Sequence, residues 1–166
     1  MPKITHTEFG VWVRPAEQED VTSLVPRLRD SDVVEVSAVC GDKTVAEAMS
    51  WSLSTSAESY VLMVDDSVEA LWGVNSCRTL PKAGIPWLVG SERMTEVSRS
   101  VARHSVGWAA HLMRNYYLLY NFVHVPHIQS QKWLRLCGFQ IQTDRTYKFT
   151  NEDFYLFTMG AKQCVA

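Results

Sequence analysis

One α/β domain, a mixed sheet covered by helices, is the fold class this sequence predicts, and three observations predict it. Short runs of β-branched and aromatic residues alternate with stretches whose apolar residues recur every three or four positions. The longest helical pattern, over residues 94–114, lies between two groups of strand-like segments. A length of 166 residues with 46% hydrophobic content suits a single compact core spanning 1–166, and six each of Trp, Tyr and Phe can fill it without a metal or a covalent staple.

The elements follow in order. Residues 11–16 begin as β-formers and stop at Pro15, and the acids Glu17, Glu19 and Asp20 suit a helix start. Val21, Leu24, Val25 and Leu28 are helically spaced, with Pro26 placed to kink or divide the helix, and a second patterned stretch, 33–39, runs up to Gly41. Thr44 is an N-cap for a helix through Val45, Ala48, Met49 and Leu53 that ends near Ser54. Residues 60–64 and 68–74, joined across Asp65-Asp66, predict a hairpin, and 85–90 a further strand with Pro86 near its start or at an edge. In the long helix Val97, Val101, Trp108 and Leu112 form one stripe, while Arg99 and Arg103 lie on another. A buried strand over 118–125 ends at Pro126, a short helix over 128–137 is closed by Gly138, and strands over 140–149 and 153–159 finish the chain. The order is strand, two helices, three strands, long helix, strand, short helix, two strands.

Several function classes drop out. A formal charge of −2 gives no general field toward nucleic acid or an anionic membrane, so any such contact must be local. The longest uncharged run, 115–131, holds Asn, His, Gln and Pro that a bilayer would leave unsatisfied, and residues 1–10 do not read as a secretion signal, so a cytosolic origin is expected. Cys40, Cys77, Cys137 and Cys164 are scattered, as reduced structural thiols are. His124 and His127 flank Pro126 without a third ligand nearby, which argues against zinc, and without a Gly-x-Ser-x-Gly elbow hydrolase readings fall away. Trp12, Trp51, Trp72, Trp87, Trp108 and Trp133 sit on separate elements, as a shared core requires; any left exposed would mark a protein interface.

Two segments carry a resemblance: Asn121-Phe122-Val123, and Trp133-Leu134-Arg135-Leu136-Cys137-Gly138-Phe139. With the element order they resemble the GNAT superfamily of acyl-CoA N-acyltransferases over most of the chain. Together with Arg103-His104-Ser105 and Trp108 on the long helix, they are similar to short GNAT-like internal virion or morphogenesis proteins of short-tailed phages. The resemblance implies a splayed mixed sheet of about seven strands flanked by helices. It also implies a gap between the strands over 85–90 and 118–125, where pantetheine borrows free backbone groups.

Acetyl-CoA is the cofactor the resemblance implies, its pyrophosphate seated on backbone N–H groups at a helix N-terminus. The family's Gly-rich loop is matched best by Ala102-Arg103-His104-Ser105-Val106-Gly107, so Arg99, Arg103, His104, Ser105, Val106 and Gly107 are the candidate cofactor residues. Three positions depart from the pattern: Ser105 replaces a glycine, Leu134 the Tyr proton donor and His127 an Asn. Glu92, just past the strand end, is the best-placed base, and His127 could hold a cofactor or act as acid or base. Each has a plainer reading: Arg99 and Arg103 as a solvated helix face, Glu92 as a surface acid at a helix start, His127 as a cap or an exposed ring. Tyr116, Tyr117 and Tyr120 read as core.

Two functions are expected from this pattern. The first is a phage GNAT-fold protein in virion assembly, or an internal virion component, with a degenerate acyltransferase site. The second is an active N-acetyltransferase acting on a protein or small amine. The first implies other virion or assembly proteins as partners, no nucleic acid, and residence in the host cytoplasm or the virion.

Overall fold

The computed structural model describes residues 10–95 and 97–160, without the side chains of Thr95, Ser98, Arg99, Ser100 and Arg103. The chain divides into two compact units, residues 1–75 with 86–99, and residues 76–85 with 100–166.

In the first unit β1 (Val11–Pro15) pairs antiparallel with β2 (Ser56–Val64), and β2 pairs antiparallel with β3 (Ser67–Ser76). Their hairpin turns on Asp65 and Asp66, both left-handed at φ 48° and 64°, the primed geometry that matches strand twist. Aspartate tolerates that conformation better than most residues because its short carboxylate bonds locally. Three helices lie between β1 and β2: α1 (Gln18–Leu24), α2 (Asp30–Val39) and α3 (Val45–Thr55). The sequence order allowed two. A 3-10 turn at Val25–Arg27 carries Pro26, where a proline ring lacks the N–H a continuing helix needs, and Gly41 at φ 64° separates α2 from α3.

Local chemistry fixes the helix starts. Thr44 Oγ1 accepts the Glu47 N–H at 3.2 Å, as expected of the Thr44 N-cap, and the Glu47 carboxylate accepts the Thr44 N–H at 2.8 Å, completing a reciprocal box at α3. At α1 the Asp20 carboxylate accepts the Glu17 N–H at 2.8 Å and both Arg14 guanidinium nitrogens, at 2.6 and 2.8 Å. The apolar faces of these helices meet the strands in a core of Val21, Leu24, Met49, Leu53, Val61 and Leu71. Trp51 does not join it: it is 58% exposed on α3, contrary to the shared tryptophan core expected.

The second unit holds β5 (Leu118–His124), α5 (Ile128–Leu136), β6 (Gln140–Phe149) and β7 (Glu152–Gly160). The helix α4 (Ser98–Asn115) begins at the end of the first unit and runs through the second. β5 pairs with β7 from Leu118↔Gly160 to His124↔Phe154, around a core that includes Leu112, Leu119, Val123, Leu134 and Phe157. β6 is less regular: between its paired residues Gln142 and Tyr147 it carries four residues where β7 carries only Tyr155.

β4 (Ala83–Gly90) starts in the second unit and ends in the first, and the sheet order is β1-β2-β3-β4-β5-β7-β6. β4 and β5 are parallel and share two pairs, Ala83↔Leu118 and Gly84↔Leu119. The fold is therefore a seven-stranded mixed sheet with helices. Among the described residues no helix is long and apolar enough to cross a membrane.

The end of α5 shows how closely sequence dictates local form. Gly138, at φ 96°, donates its N–H to Arg135 at 3.0 Å, and Phe139 donates to Leu134 at 3.0 Å, the paired bonds of a Schellman stop. Leu134 and Phe139 are both buried, which supplies its apolar clasp. Gly138→Ala forces a Cβ into the left-handed region and is expected to lower unfolding stability by about 1–2 kcal/mol in urea denaturation.

Candidate functional site

Among the described residues, the most deeply buried charges, Asp32 and Glu69, meet at the end of β4. Gly90 donates its N–H to the Asp32 carboxylate at 2.7 Å, and its carbonyl accepts the Arg29 N–H at 3.0 Å. Arg29 also grips Asp32 through its side chain, Nε at 3.1 Å and Nη2 at 2.8 and 2.9 Å. Burial pushes the Asp32 carboxyl above the usual carboxylate range, against the pull of Arg29 and of the Gly90 N–H. These residues belong to the start of α2, so the helix is pinned to the strand end.

Ser91 continues the arrangement. Its N–H donates to the Glu69 carbonyl at 2.9 Å, its hydroxyl donates to the Glu69 carboxylate, and its backbone bridges to Leu28. Glu69 has a fully buried carboxylate, met by Arg27 at 3.1 Å and Arg93 at 3.4 Å. Burial pushes that carboxyl up, but the Ser91 and Ser67 hydroxyls and Arg27 outweigh it and hold it below the ordinary range. Glu92 follows on the exposed start of a 3-10 turn, Glu92–Thr95.

The candidate phosphate segment takes a different form from the loop the resemblance implies. Residues 102–107 are helical, in the second and third turns of α4. Only the first turn of a helix leaves N–H groups unbonded, so those groups belong to residues near Ser98 and not to 102–107. Ser105 is buried and its hydroxyl donates back to the Val101 carbonyl at 2.6 Å; His104, Val106 and Gly107 are exposed. Arg99 and Arg103 are helical in backbone, and their side chains lie outside the described residues. Residues 91–106 contain no glycine, so a nest of successive N–H groups has no residue there that reaches left-handed angles without strain.

In the second unit His127 is the buried N-cap residue of α5, with its Nε2 3.0 Å from the Ser130 hydroxyl. His124 Nε2 lies 2.7 Å from the Glu152 carboxylate. Leu134 is buried and has no proton to give.

The tyrosines differ from the core expected of them. Tyr117 is 53% exposed, the Tyr116 hydroxyl lies 3.1 Å from the Ser76 hydroxyl, and the Tyr120 hydroxyl lies 3.3 Å from Cys77 Sγ. Thr79 Oγ1 is 3.4 Å from the same sulfur, and the Thr79 and Tyr120 hydroxyls together hold the Cys77 thiol down to about 6. The scattered cysteines of the sequence predict an ordinary structural thiol at Cys77, because a 43-residue separation from Tyr120 hides this contact from local pattern. Cys137, by contrast, is pushed up to about 12 by burial.

No protein-family model matches the chain, and no curated protein matches it. Solved structures do, and they define the class: the chain has the fold of the GNAT N-acetyltransferases. An N-acetyltransferase from Staphylococcus aureus Mu50 is 17% identical with a TM-score of 0.65, covering 90% of this chain and 98% of that one. A GCN5-related N-acetyltransferase from Kribbella flavida is 16% identical with a TM-score of 0.66, covering 92% and 98%. A spermidine N-acetyltransferase from Vibrio cholerae, in complex with CoA and spermine, is 10% identical with a TM-score of 0.65, covering 91% and 95%.

Two measurements follow from this geometry. Gly107 sits inside a helix with open space where a Cβ would go, so Gly107→Ala should raise stability by up to about 1 kcal/mol in urea denaturation; a phosphate-loop glycine would give the opposite sign. Alkylation of native protein by iodoacetamide, followed at the Cys77 peptide by mass spectrometry, should rise with pH around a midpoint of about 6. Tyr120→Phe should move that midpoint toward the ordinary thiol value of roughly 8.5.

Proposed function

We propose that this chain is a GNAT-fold protein of phage virion assembly, or an internal component of the virion, that retains the acyltransferase scaffold without tight acyl-CoA binding. The observation that carries the loss of binding is Gly90, whose N–H and carbonyl are both bonded within the chain, to Asp32 and Arg29. A pantetheine arm that borrows backbone groups at the end of β4 finds those of Gly90 in use. The helical form of residues 102–107 and the internal bond of Ser105 support the same reading.

The phage assignment rests on sequence: Arg103-His104-Ser105 with Trp108, Asn121-Phe122-Val123, and Trp133-Leu134-Arg135 leading to Gly138-Phe139. Under it the partners are other virion or assembly proteins, and the protein works in the host cytoplasm during assembly. The alternative is a working N-acetyltransferase acting on a protein or small amine, with Glu92 and His127 as the base and acid to test. It draws support from the fold shared with a spermidine N-acetyltransferase that binds CoA.

Isothermal titration with acetyl-CoA separates the two. The expected result is a Kd weaker than about 1 μM, less than ~8 kcal/mol of binding. A tighter complex would restore the enzyme reading and sink the degenerate-site one.

A further inference from the structure

The net charge of −2 conceals a segregation. Residues 1–75 with 86–99 carry 15 acidic and 7 basic side chains, a balance of −8, while residues 76–85 with 100–166 carry 3 acidic and 9 basic, a balance of +6. Fields of a single sign on each unit favour a partner of the opposite sign.

The basic unit has a face built for contact. The connection from β3 to β4 presents Arg78, Leu80 and Lys82, all exposed. Its backbone is tied down: Cys77 donates to the Ala83 carbonyl at 2.8 Å, and the Lys82 carbonyl accepts the Tyr117 N–H at 2.7 Å. That second bond sets the loop beside the turn from α4 to β5, where Arg114 and Tyr117 are exposed. Leu80 and Tyr117, 46% and 53% exposed, are thus apolar side chains of two segments joined by that bond, which also carry the exposed cations Arg78, Lys82 and Arg114. Among the described residues none of these three cations has an ion-pair partner.

The acidic unit has the counterpart. Trp51, on the outer side of α3, lies one turn after the exposed Glu47, and the packed helix α2 ends at Val39, 55% exposed. Asp42 and Lys43 are both exposed in the connection between them. An exposed tryptophan on a unit of net negative charge is complementary to an exposed tyrosine on a unit of net positive charge, and Trp, Tyr and Arg are the side chains that anchor interfaces.

We propose that these faces bind each other between copies of this chain, the Trp51 face of one molecule on the Leu80–Tyr117 face of the next. Two copies can make this contact twice about a two-fold axis, closing a dimer, or once, leaving a free face from which the assembly grows. A nucleic-acid strand would use the basic face alone and give Trp51 and its acids no role, which is why a second copy is the better occupant. The inference stands whether or not CoA binds.

Sedimentation velocity of the full chain tests it. Oligomers should grow with protein concentration at about 50 mM salt and dissociate at about 500 mM, as screened charges would. Two variants confined to exposed side chains, each checked by circular dichroism, carry the decision. Arg78→Glu/Lys82→Glu/Arg114→Glu disables the basic face and Asp42→Lys/Trp51→Lys the acidic one; each alone should associate at least roughly tenfold more weakly than the unsubstituted chain. Mixed in equal amounts they should form a dimer and nothing larger, because each keeps the face the other lacks. An unsubstituted chain that stays monomeric at low salt, a variant that assembles normally, or a mixture that stays monomeric would each overturn the proposal. So would a labelled oligothymidine strand bound by the unsubstituted and Trp51→Lys chains alike, and lost in the basic-face variant, without self-association.

Discussion

The Asp32 carboxylate, almost wholly removed from water, is the constraint around which the first unit is arranged. A buried charge is tolerated only when its oxygens are matched by donors, and leaving one partner unmatched costs about 3–5 kcal/mol. Here the donors are the Arg29 fork and the Gly90 N–H, 58 residues away along the chain. Satisfying that carboxylate fixes the start of α2, the end of β4 and, through the Leu28–Ser91 bridge, the turn between α1 and α2. The neighbouring Glu69 is matched in the same way by Ser91, Arg27 and Arg93, so two buried carboxylates brace one strand end.

That bracing separates architecture from chemistry. Strand order and helices define a scaffold whose fold distant acetyltransferases share. Activity depends on which polar groups the scaffold leaves available, and those are settled residue by residue. At Gly90 the chain's own helix takes the two backbone groups; at Ser105 a helical carbonyl takes the hydroxyl. A fold is preserved by apolar pattern and caps, which such changes leave untouched.

Features governed by near neighbours were legible in the sequence. The Thr44 cap, the stop at Gly138 and the Asp65-Asp66 hairpin are each written in a few consecutive residues. The start of α4 was not: the helical pattern of the sequence begins at Met94, where the structure has a 3-10 turn over Glu92–Thr95, and α4 itself starts about a turn later at Ser98. Pairings across tens of residues, Asp32 with Gly90 or Cys77 with Tyr120, leave no local trace. Nor does a total charge reveal that acids and bases have been sorted between two compact units.

The uneven pairing of β6 with β7 bears on how such a chain can meet other chains. β6 ends the sheet order and is mostly exposed, and a straight strand in that place would template any extended segment that reached it. The four residues set against Tyr155 break its row of evenly spaced backbone groups and bend it. Sheet extension is thereby discouraged on this border, which leaves recognition there to side chains.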